Sequence, residues 1–173
     1  MEIKKFTRLS LLLALTVVLN IIEMMVPLFN GFIPGLKLGL ANIVILFVLY
    51  CYSFKDALYL SILRVFLVGI LRTGLFSVSF FFSLGGAVLS IMAMYLVKKF
   101  TNLSTIGVSI IGSITHSIGQ LLIAFFLIKT TGVIFYLPWL LLLSVPTGIV
   151  TGKISAMMLQ YFNELDEVGV SLY

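Results

Sequence analysis

Six apolar runs follow one another along the chain, separated by short breaks that contain charges, glycines or prolines. Runs of about 15 to 24 apolar residues approach the length of an α-helix that crosses a bilayer. Such helices satisfy their own backbone hydrogen bonds in lipid, and the short alternating segments typical of membrane β-strands are not seen. We therefore predict an all-α membrane protein, a bundle of six transmembrane helices at residues 9–26, 38–52, 57–71, 75–97, 106–128 and 135–161.

The composition agrees with this pattern, since 61% of the 173 residues are hydrophobic and only 10% are charged. A soluble globule of this size would need more polar groups to cover its surface. None of the breaks is long enough to act as a linker between domains, so residues 1–173 are predicted to form one integral membrane domain. The basic start of the chain lacks a small-x-small cleavage site, and we expect it to remain as part of helix one.

Positive charge is distributed unevenly between the two ends of the predicted helices. Such an excess marks the cytoplasmic side of a membrane protein, so both termini are predicted to be cytoplasmic in a multi-pass protein of the plasma membrane. The net charge of +5 follows from this orientation, and nucleic acid is not an expected partner. The residues on the basic side are Lys4, Lys5, Arg8, Lys55, Lys98, Lys99 and Lys153, against Lys37, Arg72 and Lys129 on the other.

Polar side chains recur at helical spacing inside helices three and five. Arg64 would lie roughly 12 Å along its helix, near the middle of the bilayer. A central arginine costs about 2.5 to 3.5 kcal/mol, so it is expected to face the bundle. Ser61, Arg64, Val68 and Arg72 share one stripe of helix three. Helix five places Ser109, Gly112, Ser113, His116, Gly119 and Gln120 on one face.

A lysine stands at the mouth of the second apolar run, where Gly31, Gly35 and Gly39 free the backbone. Lys37, Arg64 and Arg72 against Glu23 would leave an excess of about two positive charges near the outer side, which favours a small anionic ligand. Alternatively, Glu23 pairs with one cation, the others reach water or carbonyl groups, and the histidine and amides join neighbouring helices. The candidate ligand-binding residues are Lys37, Arg64, Arg72, His116, Gln120, Asn42, Glu23 and Asn20.

Small residues form flat stripes on helices one and six, which suits close contact with another helix. On helix one they are Thr7, Ser10 and Ala14, and both docking of a partner protein and packing within the bundle remain open. On helix six, packing within the bundle is the favoured interpretation. Its small residues are Ser144, Gly148, Gly152 and Ala156.

Several catalytic signals are absent or incomplete. Residues 148–153 resemble a phosphate-binding loop but lack one residue between the glycines, so we expect no ATP hydrolysis by this chain. Magnesium-dependent diphosphate chemistry needs several carboxylates, and Glu23 is the only acid near the inferred cavity. His116 is the single histidine and no acid is predicted at its depth, so a Ser-His-Asp arrangement is not expected. We predict no catalytic residue, metal or cofactor, and hence no enzyme activity of this chain alone.

Residues 33–42, 61–65, 83–86 and 115–120 together resemble one membrane protein family, and the resemblance covers nearly the whole chain. This is the family known both as heptaprenyl diphosphate synthase component I and as Gx transporter. It is similar to the substrate-binding subunits of energy-coupling-factor transporters, which have six helices and an outward-facing pocket. The resemblance implies uptake of a ligand through a transmembrane coupling protein and ATPase subunits, and the charge count above makes a small anionic compound the expected ligand.

In that wider group a small-residue face on helix one docks the coupling protein, and Thr7, Ser10 and Ala14 stand in its place, with Thr and Ser where alanine is more usual. The family is also associated with quinone metabolism and flavin-linked electron transfer. The alternative function is therefore a non-catalytic membrane accessory subunit in prenyl diphosphate or quinone metabolism, or in flavin-linked electron transfer.

Overall fold

The computed structural model of the protein describes residues 2–25, 39–129, 132, 135 and 137–167. These residues form six α-helices and no strand, which confirms the predicted all-α class and the number of helices. The helices are α1 (Glu2–Met25), α2 (Leu40–Cys51), α3 (Phe54–Val68), α4 (Val78–Phe100), α5 (Thr105–Ile128) and α6 (Leu137–Glu167).

Helices of membrane-spanning length account for most of the described chain. α3 continues into a π-helical turn at Gly69–Thr73, whereas α2 has 12 residues and is only about 18 Å long. The protein is therefore a multi-pass membrane protein with helices of unequal length. Four segments are long and apolar enough to cross a bilayer, namely Ile3–Met25, Val78–Phe100, Thr105–Leu127 and Leu137–Glu164.

The helix ends differ from the predicted ones because polar caps, rather than the limits of the apolar runs, determine where helices begin. α4 begins at Val78, since the hydroxyl of Ser77 accepts the N–H of Phe80 at 3.2 Å. The acidic segment from Glu164 belongs to α6, which ends at Glu167. The helix therefore runs six residues beyond the end at residue 161 that the apolar run predicts.

The start of α3 shows the same effect and fixes its position against α1. Ser53 and Asp56 form a reciprocal capping box, and Lys5 on α1 makes an ion pair with Asp56 at 2.7 Å. α1 and α3 therefore begin at the same end of the bundle, which we call the proximal end. The opposite end is the distal end.

Two further contacts set the direction of the remaining helices. The ammonium of Lys98, near the end of α4, donates to the carbonyl of Leu49 at 2.8 Å, near the end of α2. Tyr50, near the end of α2, and Thr105, the first residue of α5, line the same pocket. α2 and α4 thus end where α5 begins, as expected for helices that cross in alternating directions.

α2 is the central helix of the bundle. Eight of its 12 residues are buried, and it packs against α1, α3, α4 and α6. An added Cβ at Gly39, just before α2, would lie 3.5 Å from Cγ2 of Thr151. Thr151 is about 21 Å along α6 from Leu137, so α2 begins inside the bundle rather than at its distal end.

Glycines bring α4, α5 and α6 together almost backbone to backbone. A Cβ at Gly119 of α5 would lie 2.7 Å from the carbonyl oxygen of Gly85 in α4. A Cβ at Gly148 of α6 would lie 2.7 Å from Cα of Ile110, and one at Gly152 would meet α5 at 2.8 Å. The small-residue stripe of α6 therefore packs within the bundle, as the sequence favoured.

Candidate ligand site: a polar cavity inside the bundle

A cavity between the helices is lined by residues of all six. Its empty space is about 550 Å³ including the solvent at its opening, but the centre of a water molecule can occupy only about 30 Å³. That is room for about two waters. The described lining comprises Asn20, Glu23, Gly39, Ala41, Asn42, Arg64, Ser83, Ser113, His116, Ser117, Gln120, Ser144 and Thr147.

The cavity collects most of the candidate ligand-binding residues, although they lie far apart in the sequence. Their convergence places two ionisable groups, three carboxamides and an imidazole around one small space. Contact with a ligand remains a prediction for each of them. The candidates that line the cavity are Asn20, Glu23, Asn42, Arg64, His116 and Gln120.

The other two candidates are not brought to this lining by the described structure. Arg72 is exposed and lies in the π-helical turn that follows α3. The stripe of Ser61, Arg64 and Val68 is buried, but the i→i+5 hydrogen bonds of a π-helix widen the turn and change the angular position of the next residues. Lys37 lies outside the described residues.

Arg64 lies at the centre of the site and is only 3% exposed. Its Nη1 donates to Oδ1 of Asn42 at 3.3 Å, and the negative charge of Glu23 acts on its guanidinium. Its Nε–H is buried and meets no acceptor among the described residues. The guanidinium therefore keeps one N–H donor unpaired beside its hydrogen bond to α2.

Glu23 joins the end of α1 to the start of α2. Its Oε1 accepts the backbone N–H of Gly39, whose φ of +79° lies in the left-handed region that glycine adopts without strain. The first N–H groups of a helix carry partial positive charge. Glu23 thus lies between the positive end of α2 and the guanidinium of Arg64, as one carboxylate facing two positive groups.

Asn20 lies one helical turn before Glu23 on α1. It is 8% exposed, and its Oδ1 is buried without a hydrogen-bond partner among the described residues. Buried polar atoms are almost always paired, so an unpaired acceptor and the unpaired Arg64 Nε–H in one cavity indicate a place for water or a polar guest. In the described part of the chain, no three His, Cys, Asp or Glu side chains come together as a metal site.

Hydroxyl groups form the opposite wall, on α5 and α6. Ser117 and Ser144 share a hydrogen bond of 2.6 Å, and the hydroxyl of Thr147 donates to the carbonyl of Leu143 at 3.1 Å. We had assigned Ser144 to helix packing and had given Ser117 and Thr147 no role. The spacing of Ser113, Ser117 and Gln120 on one helix face was the signal that could have indicated this wall.

His116 is positioned by the close approach of α4 to α5. A Cβ at Gly86 would lie 2.9 Å from Cε1 of the imidazole and equally close to the carbonyl oxygen of the same histidine. Only glycine at this position allows the ring to fit between the two helices. The Ser83-Leu84-Gly85-Gly86 segment therefore shapes the cavity with its two glycines and lines it with one hydroxyl.

The predicted docking residues, Thr7, Ser10 and Ala14, are all exposed on the outer side of α1. Beside them, α1 and α3 enclose a groove of about 230 Å³. We call these three residues the docking face; that a partner binds there remains a prediction. The groove is lined by Phe6, Leu9, Ser10, Leu13, Asp56, Tyr59, Leu60 and Leu63.

The fold and the cavity define a multi-pass membrane protein with a polar site enclosed by its helices. The chain belongs to the heptaprenyl diphosphate synthase component I family, whose model matches residues 12–158. All the described cavity residues fall within this match, whereas Thr7 and Ser10 of the docking face precede it. Comparisons with curated proteins and with solved structures gave no match.

Proposed function

We propose that this protein is the substrate-binding subunit of an energy-coupling-factor-type transporter and captures a small anionic compound for uptake. Its family and its membrane helices fit a membrane accessory or substrate-binding subunit. The observation that carries the proposal is the convergence of Asn20, Glu23, Asn42, Arg64, His116 and Gln120 on one cavity inside the bundle.

The charged residues of this cavity support a role in ligand binding rather than a purely structural role. Ionisable residues inside a membrane are costly, and they commonly mark sites for ions or substrates. Arg64 and the positive end of α2 attract a negative group, although Glu23 competes for both. Arg72 adds no charge to the described lining, so a positive surplus would depend on Lys37, which is predicted from the sequence to lie at the mouth.

Partner subunits would supply the energy and the route across the membrane. The family description names this chain a component, which implies at least one further component. The docking face on α1 is exposed and apolar side chains surround it, including Leu11 and Leu15. We propose that a transmembrane coupling protein with ATPase subunits contacts this face, since this chain has no nucleotide-binding loop of its own.

A ligand screen on purified protein tests the proposal, with two arginine variants as a matched pair. Arg64→Ala removes the buried guanidinium from the cavity, while Arg72→Ala makes the same chemical change on an exposed residue of the same helical segment. Candidate anions are compared by the rise in melting temperature that each produces. We expect wild type and Arg72→Ala to respond alike and Arg64→Ala to lose the response.

Equal responses of wild type and Arg64→Ala to every stabilising compound would contradict the proposed site. Loss of the response in Arg72→Ala as well would mean that the exposed arginine takes part in binding. A ligand that stabilises wild type should also accumulate in vesicles that contain the coupling protein and the ATPases. Uptake that persists with Arg64→Ala would separate transport from this cavity.

The family description favours a second candidate, a non-catalytic accessory subunit in prenyl diphosphate or quinone metabolism or in flavin-linked electron transfer. Affinity purification of the intact chain from membranes discriminates between the two. A coupling protein with ATPases supports transport, whereas a soluble synthase or redox protein, without ligand uptake, supports the accessory function. Prenyl diphosphate synthesis by the purified chain alone would contradict both candidates.

A further inference from the structure

Two residues that line the cavity each carry a buried side-chain atom without a hydrogen-bond partner among the described residues, an acceptor on Asn20 and a donor on Arg64. We infer that the ligand places an uncharged amide group, a carboxamide or a ring lactam, against Asn20 and Arg64, and that any negative charge it carries lies elsewhere on the molecule. The inference rests on the proposed function, because it assumes that this cavity is the ligand site. It adds the chemistry of the group that is recognised.

The first step concerns the two buried atoms that lack hydrogen-bond partners among the described residues. Oδ1 of Asn20 needs a donor, and Nε–H of Arg64 needs an acceptor, and both atoms are buried. Asn20 and Arg64 both line a space that holds about two waters, and we take a single small group to meet both atoms. An amide carries an N–H beside a C=O and can satisfy the two atoms together, and a carboxamide such as Asn20 is itself complementary to another amide.

The second step concerns the charges of Glu23 and Arg64, which disfavour a charged ligand group between them. Glu23 acts on Arg64 and accepts the N–H of Gly39 at the start of α2. A ligand carboxylate beside Arg64 would therefore lie close to a second carboxylate, and like charges at short range in a low dielectric repel strongly. It would also offer no proton to Oδ1 of Asn20. An ammonium group would satisfy Asn20 and Glu23 but would repel the guanidinium.

The third step is the nature of the surrounding wall. Gln120, which is 6% exposed, adds a further carboxamide, while hydroxyl groups of Ser83, Ser113 and Ser117 line the same space. These groups donate and accept hydrogen bonds and add no charge. Among the described lining residues, hydrogen-bonding side chains predominate and the imidazole of His116 is the one ring.

Acetamide and acetate test the inference, because they have nearly the same shape and differ in charge and in the presence of an N–H. The melting temperature of purified protein is measured over a concentration series of each, with ionic strength matched by sodium chloride. We expect acetamide to bind wild type at least tenfold more tightly than acetate. Asn20→Leu and Arg64→Met should each weaken acetamide at least fivefold, and Arg72→Ala should leave it unchanged.

The possible outcomes separate this inference from the proposed function. Acetate that stabilises as well as acetamide, in a manner that depends on Arg64, would overturn the amide inference and leave the anion-binding proposal intact. No stabilisation by acetamide up to its solubility-limited range would also overturn the inference. The proposed function would then depend on the wider anion screen with Arg64→Ala.

The stability of ligand-free variants gives a second test that needs no probe. Asn20→Leu removes an unpaired buried acceptor, so the melting temperature should stay the same or rise. Asn42→Leu is the matched control, because Oδ1 of Asn42 accepts from Arg64 and its loss should lower the melting temperature. A fall with Asn20→Leu as large as that with Asn42→Leu would show that Asn20 is structurally engaged and would overturn the inference.

Discussion

The two halves of the bundle, α1 to α3 and α4 to α6, contribute different kinds of side chain to the cavity. The first three supply its carboxylate, its guanidinium and two of its carboxamides, through Glu23, Arg64, Asn20 and Asn42. Their helices are irregular, since α2 begins inside the bundle and α3 passes into a π-helical turn. The last three helices supply hydroxyls, one imidazole and one amide, and they pack through glycines.

We interpret this difference as a division of roles. Helices α1 to α3 can adjust to a ligand, and helices α4 to α6 form a rigid support. Close contact through Gly119, Gly148 and Gly152 leaves α5 no space to move independently of its neighbours. In the first half the apolar side chains of α2 are buried in the core, and the charged residues of the cavity are held by polar contacts such as Glu23 with Gly39 and Arg64 with Asn42. We therefore expect substitutions in the two halves to have different consequences.

Gly148→Leu should produce the largest effect. The new side chain would collide with the backbone of Ile110, which no rotamer change can relieve, so we expect a loss of at least about 3 kcal/mol in stability or no folded protein. Unfolding in mixed detergent micelles measures it. Val150→Leu, on the exposed side of the same helix, is the control and should be nearly neutral. Equal stability of both variants would contradict our expectation that helices α4 to α6 are rigidly packed.

The charged pair of the first half should show thermodynamic coupling. Arg64→Met removes the guanidinium on which the charge of Glu23 acts, and Glu23→Gln leaves that guanidinium in a low dielectric without this negative charge. A double-mutant cycle should give a coupling free energy of about 1–3 kcal/mol, with the double variant less damaged than the sum of the single ones. Additive losses would show that the two residues act independently.

Gly39→Ala tests whether α2 must begin where it does. The residue has a φ of +79°, and alanine in that region costs about 1–2 kcal/mol. Gly107→Ala, on α5 with ordinary contact distances from 3.4 Å, is the control and should be neutral or slightly stabilising. If Gly39→Ala matches Gly107→Ala, the start of α2 is adaptable and does not fix the cavity.

Asp56 at the proximal end should give the smallest effect. Burial raises the pKa of this carboxyl, but hydrogen bonds from Lys5 and Ser53 and the charge of Lys5 outweigh it, so the pKa lies below its usual 3.8. Asp56→Asn should cost about 1 kcal/mol at neutral pH. A lowered pKa stabilises the fold above the unfolded value, so the difference from wild type should vanish as the pH falls below 3.8 and through the lowered pKa.

Lys5→Met removes only the ion pair from this capped helix start, and Lys4→Met is its neighbour control. Thermal unfolding over a pH series compares both with wild type. A loss with Lys5→Met that equals the loss with Asp56→Asn would mean that the capping box contributes nothing.

The sequence predicted the positions of site residues best within regular α-helices. The constant rise and rotation per residue of an α-helix put His116 and Gln120 on one face of helix five and put Arg64 near the middle of helix three. The same rule puts Arg72 on the stripe of Arg64, whereas Arg72 is exposed in the structure, and nothing in the local sequence indicates that Gly69–Thr73 winds with i→i+5 hydrogen bonds. The tertiary position of Gly39 could not be predicted from the sequence either, because it depends on the contact with α6.

The glycine contacts of α4 to α6 also affect how such a site can change over evolutionary time. A wall that cannot accept even a methyl group at Gly119 or Gly148 permits few neutral substitutions. New ligand preferences would therefore have to arise through Asn20, Asn42 or their neighbours on the first three helices. Divergent members of the family should then conserve one half of the bundle as a frame and vary the other as a recognition surface.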